Sequence, residues 1–168
     1  MIDYGTGETG SEIPITYAKD QRVFYDCEDP RCIYEQFERQ VGINKGNFVE
    51  MVARKYFEDQ GYGVESFYYL VRNRKKRERM PGFKKILQIF DEKKVRLLIS
   101  EAEEAFRSSG KTRAAGDPDL FVHNEQSQDY FFVEVKEKDQ ITANQMILFP
   151  LIQKRLCPVY IARVTQEG

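Results

Sequence analysis

Apolar side chains recur along this chain with two different periods, and the switches between them predict most of its elements. Phe48, Val49, Val52, Ala53, Tyr56 and Phe57 fall at helical spacing, which predicts a helix over residues 44–60 that stops at Gly61. Val64 to Val71 is a largely apolar and aromatic run and predicts a buried strand. Met80-Pro81-Gly82 then breaks the chain. Phe83, Ile86, Leu87 and Phe90 make one helical stripe, and Val95, Leu98, Ala102, Ala105 and Phe106 make another. One long helix or a helical hairpin broken near Asp91-Glu92 would satisfy both. Strands are predicted over residues 119–123 and 130–136, separated by a polar turn at 124–129. Thr142 to Leu156 reads as a helix that is apolar on nearly every side and kinked by Pro150, followed by a strand over residues 158–164.

The first forty residues read less clearly. Residues 1–18 are rich in Gly, Thr, Ser and Glu with little periodicity, which predicts a flexible, loosely ordered arm. A short strand is expected at Arg22 to Cys27, and a helix from Asp29 or Pro30 through Ile33, Phe37 and Val41, ending near Gly42. Residues 19–168 are expected to form one α/β domain with an insertion at about 72–113, since a chain of 168 residues suffices for one sizeable core.

Composition excludes several classes. The longest apolar stretch, Met146 to Ile152, carries a proline and falls far short of the roughly 20 residues a membrane span needs. No basic-then-apolar leader opens the chain, so neither export nor membrane insertion is expected. The three cysteines, Cys27, Cys32 and Cys157, show no paired CxxC spacing, and His123 is the only histidine. A zinc site and a disulfide framework are therefore disfavoured, and reduced cysteines in a cytoplasmic protein are the expectation.

The net charge of −1 conceals an uneven distribution. Residues 1–40 carry a balance of −5, residues 41–113 of +7 and residues 114–168 of −3. Within the middle segment, Arg72-Asn73-Arg74-Lys75-Lys76-Arg77-Glu78-Arg79 packs six cations into eight positions. That density suits neutralisation of nucleic-acid phosphates, although a solvated loop explains a charge run taken alone. Lys111 and Arg113 extend the same character towards the strand at 119–123.

The candidate chemistry lies in GDPDLFV and YFFVEVKEK. Successive side chains on a strand alternate faces, so Glu134 and Lys136 point one way and Val135 the other. Asp119 follows Pro118 at the opening of the preceding strand. If the two strands pair, Asp119, Glu134 and Lys136 share a face. A magnesium ion takes hard oxygen ligands and needs only one or two carboxylates beside substrate phosphate, so Asp119, Glu134 and the Val135 backbone carbonyl form a candidate ligand set. Lys136 would then orient water or offset charge in the transition state. Glu50 lies at the edge of the buried helical stripe, either reaching this site as a further carboxylate or pairing with Arg54 on the surface. Gln145 completes Thr142-Ala143-Asn144-Gln145, a capping-box pattern, and competes between that cap and a contact with water or phosphate at the site. Each of these residues has an ordinary reading alone; together they point to a metal site.

These segments resemble the PD-(D/E)xK superfamily and, within it, most closely the VRR-NUC nuclease domain. The matching residues are Gly116, Pro118, Asp119 and Leu120, then Glu134, Val135 and Lys136, then Gln145, with Glu50 on the first core helix. The resemblance implies a restriction-endonuclease-like PD-(D/E)xK core, a mixed central sheet flanked by helices, here with a helical insertion. It also implies a Mg2+- or Mn2+-dependent phosphodiesterase acting on DNA, often branched or flapped, as a standalone domain or a homodimer. The only arginine in Tyr160-Ile161-Ala162-Arg163-Val164 departs from the family's usual pattern. Arg72, Arg74, Lys75, Lys76, Arg77, Arg79, Lys111 and Arg113 are the expected DNA contacts. A non-catalytic nucleic-acid-binding module and a sequence-specific restriction-type enzyme are the competing readings. Nucleoid-associated, nuclear and virus-encoded settings are all compatible with the sequence.

Overall fold

A computed structural model describes residues 12–18 and 48–168. The strand expected at Arg22 to Cys27 and the helix expected from Asp29 to Gly42 lie outside the described residues. The described elements are β1 (Glu12–Tyr17), α1 (Phe48–Glu58), β2 (Gly63–Glu65), α2 (Arg74–Arg77), α3 (Pro81–Ile89), α4 (Glu92–Ser108), β3 (Leu120–Asn124), β4 (Asp129–Lys136), α5 (Ala143–Arg155) and β5 (Val159–Gln166). The five strands form one mixed sheet in the order β1-β5-β4-β3-β2. β5 runs parallel to both β1 and β4, whereas β3 runs antiparallel to β4 and β2.

Strand alternation sorts the core into two layers. Leu120, Val122, Val133, Val135, Ala162 and Val164 pack under α1 with Met51, Val52, Ala53 and Phe57. Phe121, Phe132, Val159 and Ile161 face the helices of the other side and pack on residues such as Phe83, Ile86, Leu98, Phe106, Leu148 and Phe149. Burying one such side chain contributes ~1.5–3 kcal/mol, so these two layers supply most of the drive to fold. β4 lies between β3 and β5 with Phe131 to Lys136 all buried, so Glu134 and Lys136 sit at the centre of the molecule.

Four features differ from, or decide between, the sequence expectations. Residues 12–17, expected within a loose arm, form an edge strand on β5, because Ile13, Ile15 and Tyr17 alternate inward at strand period. The strand expected over residues 64–71 is confined to Gly63–Glu65. Beyond it the backbone N–H groups of Leu70 and Val71 donate to the Asp117 carboxylate, at 3.1 and 2.9 Å, and this buried side chain takes the place of a neighbouring strand. Between α3 and α4 the chain breaks at Phe90, and Asp91 caps α4 by accepting from the Lys93 N–H at 2.7 Å, which gives the hairpin rather than one helix. The helix α5 continues through Pro150, which faces solvent.

Candidate active site

Two adjacent strands end together and set the acidic residues side by side. β3 pairs with β4 from Asn124↔Asp129 to Leu120↔Val133, and the ladder stops there. The next N–H on that side of β4 belongs to Val135, and it donates to Asp119 Oδ2 at 2.8 Å. Asp119 thus replaces a strand residue with its side chain. In an extended strand the N–H and C=O of one residue point to the same side, so the Val135 carbonyl opens towards Asp119 as well. Pro118 in front is buried, and its carbonyl accepts a hydrogen bond from the fully buried Tyr68 hydroxyl. Gly116 adopts φ +94°, and a Cβ there would lie 3.1 Å from the Gln145 backbone nitrogen. Glycine is needed for both reasons, and it lets the acidic loop rest against the start of α5.

Glu134 and Lys136 are 4% and 5% exposed, and burial this deep requires partners. Lys136 Nζ lies 2.9 Å from Glu134 Oε1 and 2.9 Å from Asp139 Oδ2. Gln145 Nε2 donates to Glu134 Oε1 at 2.6 Å. Gln145 Oε1 meanwhile accepts from the Thr142 N–H at 2.9 Å, and Thr142 Oγ1 accepts from the Gln145 N–H at 3.3 Å. The capping box and the contact to the site therefore coexist, because the two ends of one amide serve them separately. Glu134 Oε2 is buried and has no hydrogen-bond partner among the described residues.

The three carboxylates feel one another's charge. Glu50, in the first turn of α1, is pushed up to about 7 by burial and then by Glu134, against the pull of Arg72. Burial, then Glu134 and Glu50, raise Asp119 well above the ordinary range, against the Val135 N–H and Lys136. Burial also raises Glu134, although Lys136 and Gln145 oppose it. For Lys136 burial works to lower the pKa, but Glu134 and Asp139 outweigh it and the ammonium is stabilised. Arg54 ion-pairs with Glu58 at 2.7 Å and reaches Ser66 at 3.1 Å, so the surface pairing considered for Glu50 is taken by another acid. Among the described residues, no three His, Cys, Asp or Glu side chains form a compact ligand cluster. Asp119 and Glu134, with the Val135 carbonyl and the nearby Glu50, present oxygen donors only. That donor chemistry, together with the orphaned Glu134 Oε2, suits a hard divalent cation.

Two neighbours of this constellation are new relative to the sequence reading. Asp117 is almost wholly buried and pairs with Arg72 Nε at 3.4 Å in addition to its two backbone donors. Asp139 joins Lys136, and its carbonyl accepts from Arg163 Nη1 at 3.0 Å, while Arg163 Nη2 reaches Glu12 on β1 at 3.1 Å. Asp117 is one letter of GDPD and could have been weighed with Asp119; Asp139 gives no signal until the turn after β4 is folded.

The basic residues divide into separate groups. Arg72, Arg74, Lys75, Lys111 and Arg113 line one groove beside the acidic loop. Lys76 and Arg79 are exposed and do not line it. Arg77, expected to contact DNA, is instead 3% exposed. It donates to the Val71 carbonyl at 2.8 Å and lies 5.9 Å from the centre of the Phe83 ring. It is the one residue of the all-basic turn α2 that points inward, where it braces residue 71 and takes no part in the charged surface.

A mixed sheet flanked by helices, with two acids and a lysine gathered where adjacent central strands end, defines a restriction-endonuclease-like α/β domain. The family model of the VRR-NUC domain matches residues 49–166, more than half of the chain. The chain belongs to that family of nuclease domains. No curated protein matches it. No helix among the described residues is long and apolar enough to cross a membrane.

Proposed function

We propose that this nuclease domain is a Mg2+- or Mn2+-dependent phosphodiesterase that hydrolyses DNA, with preference for branched, flapped or junction forms. The observation that carries the reading is the buried Glu134, held on one oxygen by Gln145 and Lys136, with its other oxygen unpartnered among the described residues and its charge felt by Asp119. Asp119, Glu134 and the Val135 carbonyl would hold the metal, with Glu50 as a further carboxylate near enough to feel the charge of Glu134. When bound, it supplies Lewis acidity to the scissile phosphate and to the attacking water.

The remaining work belongs to the protein's own groups. Gln145 fixes the orientation of Glu134 and so keeps one carboxylate oxygen available. Lys136 keeps its proton between Glu134 and Asp139 and offers N–H donors to the phosphate oxygens as charge builds on them. Arg72, at the boundary between the acids and the groove, draws the DNA backbone towards the site. Burial of the strand ends limits the water that reaches these groups and strengthens each contact.

Cleavage of linear duplexes, flaps, splayed arms and four-way junctions in Mg2+ and in Mn2+ tests the reading. Faster cutting of the branched forms is expected. Cutting at one defined sequence within linear duplex, whatever its shape, would replace it with a restriction-type enzyme.

A further inference from the structure

Residues 71–75 and the C-terminal half of α4, together with the loop that follows it, enclose a groove of about 1080 Å³. Arg72, Arg74 and Lys75 contribute cations from the first segment; Arg107, Lys111 and Arg113 contribute them from the second. Glu103 is the one acid among the described residues of the lining. The apolar part of its described lining is Ala114 and Ala115, with the buried Val71 and Phe106 beneath them. Ala114-Ala115 leads directly into Gly116, Asp117 and Asp119, and Arg72 touches Asp117, so one end of the groove abuts the acidic site. The Arg72 guanidinium also lies 5.0 Å from the centre of the Tyr69 ring.

We infer that this groove binds an unpaired DNA strand and leads the single-stranded arm of a branched substrate to the carboxylates, an inference that rests on the nuclease reading above. Its volume lies just above the range for clefts that enclose small ligands, ~300–1,000 Å³. A duplex, with two strands and its bases paired inside, is bulkier and would lie across it. A duplex would also meet the cations with phosphates while leaving the apolar lining unused, because its base faces are stacked away. An unpaired strand uses both, with phosphates on the cationic rim and bases against the apolar surface. The buried Arg77 supports this surface from beneath by holding the Val71 carbonyl. Arg107 gave no sequence signal, since α3 and most of α4 separate it from the basic run and it reaches the groove only when α4 folds back.

Fluorescence anisotropy of the full chain in EDTA, with a labelled single strand and a duplex of equal length, tests the inference without cleavage. The Arg107→Gln/Lys111→Gln/Arg113→Gln variant is expected to bind the strand at least ~10-fold more weakly and to lower the salt dependence, the slope of log K against log salt, by about 2. Lys84→Gln/Lys93→Gln/Lys94→Gln removes equal charge from exposed positions of α3 and the opposite end of α4, and is expected to leave both unchanged. Equal losses in the two variants, or a groove variant that weakens duplex and strand alike, would overturn the inference. Melting curves of both variants establish that they are folded. Strand binding that persists in a protein inert with Mg2+ and Mn2+ would sink the nuclease reading and keep the groove; cleavage untouched by the groove substitutions would do the reverse.

Discussion

Gln145 donates through Nε2 to Glu134 Oε1 at 2.6 Å while its Oε1 accepts from the Thr142 N–H at 2.9 Å. One amide therefore ends a strand's chemistry and starts a helix. The two roles separate by substitution. Thr142→Ala removes the cap from the Gln145 N–H only and is expected to cost about 1 kcal/mol of stability with cleavage within about 2-fold of the parent. Gln145→Ala keeps that N–H bond but removes the acceptor of the Thr142 N–H and frees Glu134, and is expected to lower kcat by about 10–100-fold, the range for partners that orient a metal ligand. Chemical denaturation and single-turnover cleavage of the pair provide the check; equal cleavage by both variants would show that Gln145 is a cap alone.

Glu50 provides a pH test in the metal-free protein. Its ordinary value of 4.5 is raised to about 7, first by burial and then by Glu134. The folded state therefore holds the proton more tightly than the unfolded chain. The stabilisation is fully present below about 4.5 and is lost as pH rises through about 7. In EDTA the melting temperature should fall over that window, and Glu50→Gln should flatten the fall. Saturating Mg2+ should flatten it too, since a cation replaces the proton. Scanning fluorimetry of both proteins from pH 4 to 8, about one unit beyond the window on its alkaline side, measures the difference; identical pH profiles for parent and variant would remove Glu50 from the acidic group.

Asp117 should behave as a positioning residue for the loop. Its carboxylate accepts from the Leu70 and Val71 N–H groups and pairs with Arg72. Asp117→Ala leaves two buried donors without their acceptor and is expected to cost about 2–4 kcal/mol. Asp117→Asn keeps one acceptor oxygen and should cost less. Urea unfolding of the two variants gives the ordering, and a smaller loss for alanine than for asparagine would contradict it.

Gly116 sits in a backbone conformation that side chains rarely adopt. At φ +94°, with the Gln145 nitrogen 3.1 Å from any Cβ, Gly116→Ala is expected to destabilise the fold by about 1–3 kcal/mol. It should also weaken cleavage, because the displaced residue lies between the acidic loop and α5. Unfolding and cleavage measured on the same preparation show whether the two effects travel together.

The elements carrying the acids are legible from sequence because their signals are local. Alternation about Val133 and Val135 marks β4, Pro118 and the polar turn bound β3, and Thr142 with Gln145 marks the start of α5. β1 escapes the same reading because its three inward residues sit among Gly, Thr and Glu and pair with a strand some 150 positions away, Glu12 with Ile161 and Tyr17 with Gln166. The stretch after Glu65 is apolar enough for a strand, but Asp117 takes its N–H groups from far along the chain. Arg77 is indistinguishable from its basic neighbours until α2 forms and turns it inward. Local periodicity thus reveals which segments fold, and the long-range acceptor of each backbone donor decides how far they extend.

The central claim, that Asp119, Glu134 and Lys136 form one divalent-metal site for DNA hydrolysis, is tested most directly by one cleavage measurement. Parent, Asp119→Ala and Lys136→Ala are compared on branched DNA in Mg2+, in Mn2+ and in EDTA, with melting curves to establish folding. The account predicts cutting by the parent only when a divalent metal is present, and at least a ~100-fold loss in either folded variant. Cleavage by both variants at the parent's rate, or undiminished cleavage by the parent in EDTA, would contradict it.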